Sequence, residues 1–201
     1  MNNITRSDEI GKNRQPLSSG KLSDLQKILR LAFNSFSKGK YSMAIDYCRK
    51  AVSAIPGKDH SELAAEAYYI WCLSNLKLEK VNDARKVCYE ARLKLGNYLD
   101  LVYFEILIAA VSGETGRIPK LVRNFVDLYE AAGDNYSPQK EKTHNRIGEV
   151  LLMSGQALEQ THKTREALDI YNKYLSLFPE DIPIKERVDI LTNQLNVYQE
   201  K

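Results

Sequence analysis

From Leu22 onward, apolar residues return every three or four positions, beginning with Leu25, Ile28, Leu31 and Ala32. That is the period of an amphipathic helix and not the alternation of a half-buried strand. Ser23 and Asp24 are suitable N-caps for this first helix. Residues 1–22 carry few large apolar side chains and include Ser18, Ser19 and Gly20. Such a segment buries too little surface to offset its ordering entropy, so a disordered polar tail is expected there. At the other end, Ile184, Val188, Leu191, Leu195 and Tyr198 form one more apolar stripe, which predicts a terminal helix over 184–199 within a closing segment 183–201.

Between these ends a longer regularity is laid over the helical period. A small residue is followed by an alanine-like one 12 positions on, another apolar one after 7 and a helix-breaking residue after 5. The four sets are Ala32–Ala44–Ala51–Pro56, Cys72–Ala84–Ala91–Gly96, Ala109–Leu121–Leu128–Gly133 and Gly155–Ala167–Tyr174–Pro179. Two antiparallel helices approach closely only where small side chains face each other, and Ala32 with Ala44, Cys72 with Ala84 and Gly155 with Ala167 meet that need. Turn segments fall between the members of a pair, at Gly39-Lys40-Tyr41 and at Gly116-Arg117-Ile118-Pro119. Pro119 suits the first turn of a helix, where its missing N–H is not needed.

This pattern resembles the tetratricopeptide repeat, a helix–turn–helix unit of about 34 residues. The resemblance runs over residues 25–181, and it is closest in 39–56 and 167–179. The third unit is degenerate, with Leu121 and Leu128 where alanine is usual, so its helices are expected to lie further apart. Successive units are offset by 40, 37 and 46 residues, counted from Ala32 to Cys72 to Ala109 to Gly155. The additions fall at 60–63 and 134–146, which implies longer helices or an inserted loop. The family resemblance implies an all-α, right-handed solenoid, with four helix pairs over 23–182 and the segment 183–201 as a capping helix over the last open face.

Composition narrows the function classes. The 201 residues are 43% hydrophobic and 27% charged, with a net charge of +3, ordinary for a globular protein and too weak for a general nucleic-acid surface. The most apolar stretch, 99–111, contains Asp100 and Glu105 and is far short of the ~20 residues of a membrane span. Cys48, Cys72 and Cys88 have no CxxC spacing and cannot all pair, which points to a reduced, cytoplasmic setting. His60, His144 and His162 share no metal-ligand spacing, and no phosphate loop, dinucleotide fingerprint or nucleophile elbow occurs. Neither a catalytic centre, a metal nor a cofactor is expected. Cys48 and Cys88 occupy matching places facing a partner helix and are read as buried small hydrophobes. Tyr47, Tyr89 and Tyr171, on second helices, are read as packing residues.

In tetratricopeptide arrays the first helix of each pair lines the concave wall. Projected that way, the first helices present Leu29, Phe33 and Phe36, then Tyr69, Leu73 and Leu76, then Tyr103, Ile106 and Ala110. A continuous apolar strip where a solvated wall would be polar marks a contact site. The expected role is a non-catalytic adaptor or scaffold that takes a protein or peptide segment in this groove. An assembly or secretion chaperone is the rival on the same fold, and a homo-oligomer that buries the strip against itself is another. From a different class, the basic insertion near 140–146 (Lys140, Lys142, Arg146, with Lys163) is the candidate nucleic-acid contact; Glu141 and Glu149 dilute it, and a solvated loop is the preferred reading. Some members of the family clamp a carboxylate with Lys, Asn and Arg. The matching places here are Leu29, Phe33, Ile70, Tyr103 and Leu107. None of these can pair a buried carboxylate, so the clamp is not expected.

Overall fold

A computed structural model of the chain describes residues 19–55, 61–133 and 142–199, with side chains to 196. Residues 1–18, Pro56, His60, the 134–141 part of the insertion with Lys140 and Glu141, and the side chain of Tyr198 lie outside the described residues. The described chain is all-α and contains no strand: α1 (Ser19–Ser37), α2 (Tyr41–Ala54), α3 (Ser61–Lys77), α4 (Val81–Leu95), α5 (Leu99–Val111), α6 (Ile118–Ala132), α7 (Ile147–Gln160), α8 (Thr164–Leu177) and α9 (Ile182–Gln199). Each helix packs mainly on its sequence neighbours, and α1, α3, α5 and α7 also touch in succession. This one-dimensional pattern defines a solenoid, in which each pair buries its face against the next.

Helix α1 begins at Ser19, not after residue 22, so Ser23 and Asp24 lie inside it and do not cap it. The cause is packing further on: Leu25, Leu29 and Ala32 are buried on one face, and helix propagation from that anchored face costs little per added residue. The additions at 61–63 lengthen α3 to 17 residues.

Turns of three residues force the members of α1–α2 and α3–α4 to run antiparallel. All four pairs close in the same way. Lys40, Lys80, Glu114 and Lys163 donate their N–H groups to the carbonyls of Ser35, Asn75, Ala109 and Leu158 at 2.8–2.9 Å. The residue before each donor is left-handed: Gly39 (φ 71°), Glu79 (φ 59°), Gly113 (φ 70°) and His162 (φ 60°). This is a Schellman-type end that satisfies carbonyls the helix leaves orphaned.

The predicted pair contacts are dry. Ala32, Ala44, Cys72, Ala84, Ala109 and Ala167 are fully buried, and so are Cys48 and, to within a trace, Cys88. Burial pushes the Cys48 thiol up to about 12, which leaves it protonated and packed. In the third pair, Leu121 stands in the alanine position, and α5 and α6 are in less extensive contact than the other pairs. Ala84→Leu is expected to overpack the α3–α4 contact and cost about 1–3 kcal/mol in denaturant unfolding. An unchanged unfolding midpoint would mean that the helix register is wrong.

Helix α9 lies against α8 and buries Leu191, with Ile184, Val188 and Leu195 half-buried beside it. Asp181 caps it, accepting the Ile184 N–H at 3.2 Å and the Tyr174 hydroxyl at 2.7 Å. Its outer face keeps Ile182 and Ile190 exposed. Tyr89, expected as a packing residue of α4, is also exposed, because it lies about 100° around the helix from buried Cys88.

Candidate partner-binding groove

Helix α5 anchors the site. It is apolar on every side and buries Leu99, Leu101, Val102, Phe104, Ile106 and Ile108. Its first turn also buries Asp100, whose carboxylate accepts three hydrogen bonds from the end of the insertion. These come from the Thr143 hydroxyl at 2.8 Å, the Thr143 N–H at 2.9 Å and the Lys142 N–H at 3.2 Å. Burial raises the Asp100 carboxyl above the ordinary carboxylate range, and these hydrogen bonds partly offset the rise. The contact ties the 142–146 segment to the start of α5 and so sets where α7 begins.

Arg146, four residues after Lys142, is thereby held over Tyr103. Its guanidinium carbon is 5.9 Å from the ring centroid, and it donates to the Tyr103 oxygen at 3.4 Å and to Glu149 at 3.3 Å. The Tyr103 hydroxyl in turn donates to Glu149 at 3.1 Å. Burial and the nearby Glu149 push the Tyr103 phenol up to about 12. This trio walls one side of a groove of about 740 Å³ that crosses the first helices. Phe36 of α1, Leu73 and Leu76 of α3, Tyr103, Leu107 and Val111 of α5, and Val81 at the start of α4 make its apolar floor and sides. Lys77, Glu79, Arg146 and Glu149 supply its charges.

Of the strip expected from sequence, the structure brings Phe36, Leu73, Leu76 and Tyr103 together in this groove. It does not bring the others there. Leu29, at 3% exposure, and Ile106, at 0%, are core residues and present no surface. Tyr69 is half-buried with its ring 5.3 Å from Phe104, and Ala110 is half-buried against the core. Phe33 is 54% exposed and does not line the groove. The reason is rotational. Tyr103, Leu107 and Val111 are spaced i, i+4, i+8 and share one ridge of α5, whereas Ile106 is turned about 100° from Leu107 into the core. Leu107 was expected on this wall only as a place matching a carboxylate clamp; Val111, Val81, Lys77, Glu79, Arg146 and Glu149 were not expected there, and the i+4 row from Tyr103 was the signal that could have found Val111.

Of the basic group of the insertion, Lys140 lies outside the described residues, and the described members Arg146 and Lys163 do not meet. Arg146 sits in the groove before α7, while Lys163 follows α7 and reaches Gly116. The 14 residues of α7 separate them, about 21 Å of helix. A second apolar crevice, of about 390 Å³, lies beside Tyr89 and Ile108. Its charges are satisfied within the chain: Glu114 pairs with Arg85 at 2.6 Å and Arg117 at 2.7 Å, and the two guanidinium groups hold its carboxyl below the usual range. Among the described residues no three His, Cys, Asp or Glu side chains are grouped to hold a metal, and no helix is long and apolar enough to cross a membrane.

No protein-family model and no curated protein matches the chain. Among solved structures, it is similar to a thermophilic TPR protein of Thermus thermophilus. That likeness has a TM-score of 0.45 and 15% identity and covers 84% of this chain and 98% of that one.

Proposed function

We propose that this protein is a non-catalytic interaction module of tetratricopeptide type, which holds an apolar stretch of a partner protein in the groove across α1, α3 and α5. The observation that carries the reading is the meeting of Phe36, Leu73, Leu76 and Leu107 from three successive first helices in one open groove. Side chains on facing helices of a solenoid would otherwise be covered or polar, and contiguous apolar surface of this kind is where hot-spot contacts concentrate. An amphipathic helix laid in such a groove buries its own apolar stripe and leaves its polar side in water. Three cysteines that are all buried and unpaired support a reduced, cytoplasmic compartment.

The test uses proteins captured by the purified chain and confirmed by direct titration. Leu73→Glu and Leu76→Glu place an unpaired carboxylate against the bound apolar face and are expected to weaken binding by about 100-fold or more, with the circular dichroism spectrum unchanged. Lys163→Glu is expected to leave binding alone. Loss of binding in Lys163→Glu with full binding in both groove variants would sink the reading.

A further inference from the structure

Helix α6 carries a charge pattern that its own fold does not use. Its exposed charged residues are Lys120, Arg123, Asp127 and Glu130. Their spacings of 3, 4 and 3 residues read the same in both directions, while the signs run plus, plus, minus, minus. At that spacing all four project from one side of the helix as a single ridge. The order opposes the helix dipole, which favours anions in the first turn and cations in the last. Helix α6 has no acidic residue in its first turn and no basic residue in its last. Helix α4 shows the usual arrangement, with Asp83 in the first turn and Arg92 and Lys94 in the last.

The ridge does not neutralise itself within the chain. Arg123 and Asp127 are four residues apart, but with the cation nearer the N-terminus, the weaker order for a helical pair. Among the described residues, the side chains of Lys120, Arg123 and Asp127 make no ion pair or hydrogen bond. Glu130 meets Lys173 of α8 at 3.0 Å, with both side chains open to water. The ridge stands between two surface crevices, and the groove across α1, α3 and α5 does not include it. Leu93 of α4, next to the Arg92 that lines one of these crevices, is 70% exposed and adds apolar surface nearby.

A sequence of charges that is palindromic in spacing and inverted in sign is complementary to itself when turned end for end. We propose that two copies of the chain associate through α6, packed antiparallel about a two-fold axis level with Phe125. Arg123 of each copy then faces Asp127 of the other, and Lys120 faces Glu130. The two-fold makes every contact occur twice. Each carboxylate in the C-terminal half also meets the cations and the positive dipole end of the opposite helix. One charged ridge with a little apolar surface beside it is a small interface, so the dimer is weak and transient.

The experiment is sedimentation velocity of the full chain over a concentration series at low and high salt. A dimer is expected at low salt and is expected to dissociate as salt rises. Arg123→Asp sets carboxylates against each other at both symmetric contacts, and Asp127→Arg does the same with guanidinium groups. Each variant alone is expected to weaken self-association about 100-fold or more, with its circular dichroism unchanged. Mixed in equal amounts, the two variants are expected to form a heterodimer of near wild-type affinity, because each presents the charge that the other requires. Recovery on mixing could not arise from a folding defect in either one. Leu73→Glu, in the groove, is expected to leave the dimer intact. A wild-type chain that stays monomeric at low salt, a dimer that survives either reversal, or a failure to recover on mixing overturns the inference. So does a dimer abolished by Leu73→Glu, which would place the contact in the groove.

Discussion

Gly155→Ala is expected to destabilise the protein by about 3 kcal/mol, at the upper end of overpacking costs. Glycine in a helix interior ordinarily costs about 0.5–1 kcal/mol relative to alanine, so propensity alone favours the substitution. Packing opposes it. A Cβ at Gly155 would lie 2.4 Å from Cε1 and 2.7 Å from Cζ of Tyr171. That ring cannot swing away, since it is buried and its hydroxyl donates to Glu159 at 2.6 Å. Glu159 also receives Arg187 of α9. Moving the ring therefore disturbs α7, α8 and α9 together. In a thermal scan the loss corresponds to about 6–12 °C for a chain of this size. Trimming the ring in Gly155→Ala/Tyr171→Leu should recover part of the loss and give a clearly non-additive cycle. A melting temperature unmoved by Gly155→Ala would refute the close approach of α7 and α8.

Removing the Asp100 carboxyl has a comparable effect by another route. Asp100→Ala leaves the fully buried Thr143 with its N–H and hydroxyl unpaired and frees the Lys142 N–H. The expected loss is about 2–4 kcal/mol, combining lost charge-assisted bonds with the desolvation of the stranded groups. Asp100→Asn keeps an acceptor for Thr143 but sets an amide donor near the Lys142 N–H, so about half that loss is expected. Trypsin should cut faster after Lys142 in Asp100→Ala, because the end of the insertion is no longer tied down. Since Arg146 follows directly, the alanine variant should also weaken groove ligands. Wild-type stability and wild-type proteolysis in Asp100→Ala would show that the insertion is held by something else. The carboxyl's raised proton affinity also gives a sign: the folded chain holds this proton more tightly than the unfolded chain. The stability contributed by this group is therefore greatest below the unfolded carboxylate value and declines as pH rises through the folded one.

These two sites divide what was legible in the sequence from what was not. The Gly155–Ala167 spacing marked a close helix contact, but the residue that closes on Gly155 is Tyr171, one turn further along α8. Nothing in the sequence linked Asp100 to Thr143, which lie 43 residues apart across the insertion. The groove was half legible. Phe36, Leu73, Leu76 and Tyr103 were expected on it and line it, while Leu29 and Ile106 went into the core. The error was greatest on α5, where apolar residues surround the helix and no polar face indicates which way it is turned.

The local terms settled the fold class. Helical periodicity, small residues spaced for close pairing, and glycine where a left-handed end is needed all act over a dozen residues or fewer, and each can be read in one dimension. Those same terms placed Ala44, Cys48, Ala84 and Cys88 in dry contacts. The rotation of α5, the docking of 142–146 on Asp100 and the placement of Arg146 and Glu79 at one groove were decided only in three dimensions. They depend on competition among neighbouring helices for the same buried surface, and an all-apolar helix carries no record of which neighbour wins.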